Sequence, residues 1–180
     1  ISGGRLAAEG GNIASLTIGG NLAVAFNPDD PNDQPVVEAT GTIGLVAITG
    51  DATGWLRAGG QGFTDGVRVE GDILDLYLDG NVHAASPAVE CLGTIQRLVV
   101  TGSLYGDISA SAAIQEVIVH GDLASEPPGG AVTILAPIEF LYVAGSLPAA
   151  LNVQGPALYL ASAEDPSATT INIIQPVSTN

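Results

Sequence analysis

The sequence predicts an all-β fold, a single-domain parallel β-solenoid (β-helix) of either hand with about seven coils. Three observations predict it. One apolar pattern recurs along the chain, a shorter alternating segment precedes each copy, and the composition is rich in small and apolar residues but poor in charge.

The recurring pattern is an Ile, an apolar residue three positions later, another two after that, and then Gly. It starts at Ile13, Ile43, Ile73, Ile95, Ile114 and Ile138. The apolar pairs are Leu16/Ile18, Val46/Ile48, Leu76/Leu78, Leu98/Val100, Val117/Val119 and Leu141/Val143. Each ends in Gly followed by Asn, Asp or Ser: Gly20-Asn21, Gly50-Asp51, Gly80-Asn81, Gly102-Ser103, Gly121-Asp122 and Gly145-Ser146. Period-two alternation marks strands with one buried face. A Gly-Asx pair marks a corner that needs positive φ.

The shorter strand reads apolar-x-apolar-x-small at Leu6, Val37, Val67, Val89, Ile108, Val132 and Leu151. Unequal steps between these starts imply insertions at one corner of the coil, directly after the Leu22-type position. Residues 1–160 are therefore assigned to the solenoid and 161–180 to a C-terminal tail that caps the rod, covers an outward apolar stripe or is donated to a neighbour. The tail keeps one β-prone run, Thr169 to Ile174. With no Met and a first residue Ile1, the chain is expected to be a processed or excised piece.

Composition bounds the surface. Of 180 residues, 46% are hydrophobic, 13% charged and 24 are Gly, which excludes a disordered chain and suits close-stacked strands. The net charge is −15, with four Arg and no Lys. Such a surface repels nucleic acid and anionic membranes, so neither is an expected partner. No apolar run is long enough for a membrane span. Cys91 is the single cysteine, which precludes an internal disulfide, and it occupies an inward slot as a small core residue.

Stacking the copies in register gives rows. Asp75, Arg97 and Glu116 fall on consecutive coils, as do Glu38, Arg68 and Glu90. Each Arg then sits between two carboxylates in a charge ladder that sets register. A third row, Thr17, Ala47, Tyr77, Val99, Ile118 and Tyr142, points outward. Its last four members, Tyr77, Val99, Ile118 and Tyr142, form an apolar interface stripe.

Two segments read as long inserted loops, 23–36 and 53–66. They hold the binding patch, Phe26, Trp55, Arg57 and Phe63, in which Trp55 either pins its own loop to the rod or offers a surface for sugar stacking. The first insert, with Pro28 and Pro31, reads as a solvated, turn-rich acidic loop that needs no cofactor; the alternative is that Asp29, Asp30 and Asp33, helped by Asn27 and Asn32, offer oxygen ligands to Ca²⁺.

These features resemble the parallel β-helix architecture over nearly the whole chain. That group includes polysaccharide lyases and hydrolases, adhesin passengers, phage fibres and surface filaments. The enzymes of the group cluster acidic groups on one face. Here Asp72, Asp75 and Asp79 share one coil without matching acids on its neighbours, so no enzyme is expected. No evident N-terminal cap precedes Leu6. The expectation is a secreted structural subunit, extracellular or at a cell surface, whose partners are other copies stacked head to tail. The alternative is a carbohydrate- or surface-binding adhesin module, and the least favoured reading is a polysaccharide lyase or hydrolase.

Overall fold

The computed structural model describes residues 6–24, 30, 35–84, 87–163 and 170–174. It is a parallel β-solenoid of about six turns, close to the seven coils expected from the repeats. Phe26, Asp29 and Asp33 lie outside the described residues. Among those residues no helix is long and apolar enough to cross a membrane.

Two large parallel sheets and one small one form the sides. Sheet A stacks Leu6–Ala8, Val37–Ala39, Ala52–Ala58, Ile73–Asp79, Ile95–Val100, Ile114–Val119, Ile138–Val143 and Ala157–Ser162, with Leu22–Ala23 also paired to Ala52–Ala58. Sheet B stacks Ile13–Ile18, Ile43–Ile48, Val67–Val69, Val89–Cys91, Ile108–Ala110, Ala131–Leu135, Ala150–Gln154 and Thr170–Ile174. The third side carries Val82–His83, Leu104–Tyr105 and Leu123–Ala124, with Phe63 bridging Ile43 and Val82. Inward side chains of all three sides fuse into one apolar cluster. One core row of sheet B runs Leu16, Val46, Val67, Val89, Ile108, Ile134, Val153 and Ile173.

That row corrects the alignment of the first copies. The strand at Val67 stacks on Val46, and Ala52, not Ile43, lies under Ile73. Ile13 and Ile43 therefore open on the third side and run onto sheet B, whereas Ile73, Ile95, Ile114 and Ile138 open on sheet A. Both corners ask for the same local sequence: a corner Ile, two inward positions, then Gly and a small polar residue. The period is local geometry and does not say which side of the coil it occupies.

The segment 53–66 is consequently not an inserted loop. Ala52–Ala58 is a strand of sheet A, and Phe63 is fully buried core. The segment 23–36 does interrupt sheet A: Leu22 pairs with Ala52 and Val37 with Leu56, so the extra residues fall between two halves of one rung. Residues 125–130 add a second excursion on the third side, after Leu123–Ala124. In the tail, Thr170–Ile174 forms the outermost rung of sheet B and pairs in register with Ala150–Gln154. It lies away from the stripe, which belongs to sheet A.

The corners explain the Gly-Asx pairs differently from the expectation. Only Gly20 and Gly80 among those six glycines have positive φ, 130° and 138°. Elsewhere the glycine makes room for the polar side chain of the coil beside it. A Cβ on Gly50 would fall 2.0 Å from Asn21 Oδ1, and one on Gly145 would fall 2.5 Å from Asp122 Oδ1. Those side chains continue the strand ladder around the bend. Asn21 Oδ1 accepts from Asp51 N (3.1 Å), Asp51 Oδ1 from Asp72 N (2.9 Å), and Asp72 Oδ1 from Thr94 N (2.7 Å). The next corner repeats the scheme through Asn81, Ser103 and Asp122. Backbone N–H groups that the turn aims away from their carbonyls are thereby satisfied.

Candidate interaction surfaces

The outer face of sheet A presents three columns, because alternate residues of each rung point outward. The register places Trp55 beneath Tyr77, followed by Val99, Ile118, Tyr142 and Ala161. Thr17 and Ala47 belong to sheet B instead, with Arg68 next in their column. The row thus gains Trp55 at one end and loses two small residues, while the four stripe residues stay adjacent in the expected order. It is less open than its composition suggests. Val99 is 2% exposed and Trp55 5%, while Tyr77, Ile118 and Tyr142 are half-buried.

Charge flanks that column. Arg97 lies between Asp75 (3.2 Å) and Glu116 (3.1 Å), as the sequence rows predict. The second predicted trio is redrawn. Arg68 pairs with Glu90, but Glu38 bonds Arg57 (3.5 Å), which also binds Asp79 (2.6 Å). Asp79 in turn accepts from Thr101 Oγ1. Burial works against the Arg57 charge, but the hydrogen bond to Asp79, its charge and then Glu38 outweigh it and raise the Arg57 pKa. Asp72 is held in the corner ladder. Each of the three acids on this coil, Asp72, Asp75 and Asp79, is thus engaged in the solenoid's own bonding.

Trp55 therefore cannot act as an open platform for a sugar ring. Arg57 lies over its face at 4.8 Å and Tyr77 meets it edge-on at 5.9 Å. Its buried indole N–H has no partner among the described residues, a cost of about 1–3 kcal/mol. Of the proposed loop patch, Trp55 and Arg57 share the outer face of one strand, whereas Phe63 is inside the rod. Of the calcium ligands, Asp30 alone is described, and no group of three or more His, Cys, Asp or Glu side chains among the described residues is arranged to hold a metal ion. Burial raises the Cys91 pKa, and its thiol faces the carbonyls of Gly71 (3.2 Å) and Thr94 (3.6 Å).

Compared with known proteins, the chain matches no family model, no curated protein and no solved structure.

The two ends carry features that position-by-position reading did not bring out. Sheet A terminates in Leu6–Ala8 and Ala157–Ser162, and sheet B in Ile13–Ile18 and Thr170–Ile174. None of these four strands contains a charged residue: LAA, ALYLAS, IASLTI and TINII. Between them, every strand of sheet A except the two-residue Leu22–Ala23 carries at least one, whereas in sheet B only Val67–Val69 and Val89–Cys91 do, so the contrast belongs to sheet A. Core rows also run out into solvent. Leu6, in the row of Val37 and Leu56, is 43% exposed, and Ile171 and Ile173, above Leu151 and Val153, are 42% and 51% exposed. At the C-terminal end, Leu141, Leu147, Leu151, Leu160 and Ile171 line an apolar recess of about 80 Å³.

Proposed function

We propose that the chain is a structural subunit of an extracellular filament or surface layer, built by head-to-tail contact between copies of itself. The observation that carries this reading is the uncharged character of all four terminal strands in a protein of net charge −15. Exposed strand edges template pairing, and soluble proteins ordinarily blunt them with charge, proline or a covering element. Here the charged residues of sheet A lie on its inner strands, along the side of the rod, where they oppose lateral association, and the terminal strands themselves carry none.

The two ends are complementary by construction. Parallel rungs wind in one sense, so the N-terminal edge of one copy continues the C-terminal edge of another without reversing a strand. Such a contact is heterologous and propagates along one axis. It covers Ile171, Ile173 and the apolar recess at one end and Leu6 at the other, removing apolar surface from water.

Sedimentation velocity over a concentration series tests this. The wild-type chain is expected to form species that grow with concentration. The Ile171→Lys/Ile173→Lys chain is expected to remain monomeric with an unchanged far-UV spectrum. A wild type that is monomeric throughout, or a double variant that elongates equally well, contradicts the proposal.

A further inference from the structure

The geometry points to a binding site for a neutral oligosaccharide in the cleft on the third side of the solenoid. The cleft has a volume of about 700 Å³ and is lined by Gln61, Thr64, Asp65, Asn81, His83 and Glu126. That volume lies within the range of small-molecule sites.

Two built walls define it. The lower wall is the turn from Gly59 to Gly66, in which Gly60, Gly62 and Gly66 have φ of 51°, 84° and 78°. A Cβ on Gly62 would fall 2.1 Å from the Asn81 carbonyl oxygen, so this turn packs backbone against backbone. The upper wall is the excursion after Leu123–Ala124. It reaches past the coil of Tyr105 to set Glu126 Oε2 3.6 Å from His83 Nδ1. Ser125 pins this segment. Its buried hydroxyl donates to the Pro127 carbonyl (2.8 Å) and accepts from Gly130 N (2.7 Å). The His83 ring is fixed by stacking on Tyr105, with centroids 4.3 Å apart and planes 11° from parallel.

The lining selects the ligand class. Among the described residues no Arg or Lys lines the cleft while two carboxylates do, which disfavours anions. No large aliphatic side chain among the described residues lines it, which disfavours an apolar guest. The described acidic and imidazole groups do not converge as a metal site. What remains is a mixture of acceptors (Asp65, Glu126) with groups that both donate and accept (Gln61, Thr64) and the Asn81 amide, whose oxygen already accepts from Ser103 N, beside a flat ring. Sugar hydroxyls, which donate and accept at once, fit that mixture. The site is remote in kind from the apolar ends, and it does not depend on assembly.

Saturation-transfer NMR with neutral gluco-, manno-, galacto- and xylo-oligosaccharides, and an oligogalacturonate as the charged comparison, tests the inference. At least one neutral oligomer is expected to receive saturation. Asp65→Ala and His83→Ala are each expected to weaken that binding about tenfold, the scale of one lost hydrogen bond. Thr17→Ala, on another side of the rod, is expected to leave it unchanged. The assignment is overturned if no neutral oligomer receives saturation. It is equally overturned if both cleft variants bind as tightly as the wild type, or if the oligogalacturonate binds more tightly than every neutral oligomer.

Discussion

The middle of the rod and its ends are built from the same rungs but finished differently. In the middle, Leu76, Leu98, Val117 and their neighbours are fully buried, and the outer columns pair Arg57 and Arg97 with flanking acids. At the ends, equivalent inward positions such as Leu6 and Ile173 are exposed, and the outermost strands carry no charge. The middle is therefore closed by its own coils. The ends present the same chemistry as the interior of the stack, which is what a continuing stack requires.

Substitutions sharpen this contrast. The largest effect is expected from Leu98→Asp, which puts a carboxylate at a fully buried central position. The cost is about 4 kcal/mol or more, enough to abolish folding. Loss of the far-UV β signal and of cooperative melting is the expected readout. A cooperative melt in this variant breaks the inward assignment.

Gly93→Ala should follow, because its Cβ would meet Asp72 Oδ1 at 2.1 Å and the Gly71 carbonyl oxygen at 3.0 Å. Displacing that corner bond is expected to cost about 1–3 kcal/mol in denaturant unfolding. Gly19→Ala, near the N-terminal end with nothing within 4 Å of the new methyl, should change stability by less than about 0.5 kcal/mol. Equal costs at both positions would remove the close-approach explanation for the corner glycines.

Arg97→Ala should cost no more than about 1 kcal/mol, since the ion trio is well exposed to solvent. The loss should shrink as salt rises. Salt-independent loss would mean that the arginine stem, not its charge, does the stabilising.

Cys91 gives the smallest effect and reports on the closed middle directly. Its folded pKa is raised above the ordinary value of 9.0 by burial, so the native thiol keeps its proton more firmly than the unfolded one. The associated stability is fully present below 9.0 and is lost as pH rises from there through the raised folded value. At pH 8, iodoacetamide should label the unfolded chain and spare the native one. Rapid native labelling would show that the central coils open.

The architecture was legible because every coil repeats the same physical requirements: two inward apolar residues, then a glycine with a short polar neighbour. Which side of the coil each copy occupied was not legible. The corners at Gly50-Asp51 and Gly102-Ser103 use one chemistry on different edges, so Ile43 aligned with Ile73 by pattern while the chain stacks Ala52 there. That single shift hid the strand Ala52–Ala58, moved Trp55 from a supposed loop into the apolar column and gave Arg57 the partner assigned to Arg68. Ala52 and Gly54 are weak strand signals, and both are small because they face a crowded interior. The third-side cleft was out of reach for another reason. His83 and Glu126 meet only because an excursion two rungs away folds back, and no local period encodes that.

Electron microscopy of the concentrated chain bears most directly on the claim that the ends continue the stack. The account predicts unbranched filaments with a spacing of about 4.8 Å along the axis, from rungs lying across it, and a longer repeat near the rod length of about 29 Å for six turns. Dispersed short rods at every concentration, or filaments whose strands run along the axis, would contradict it.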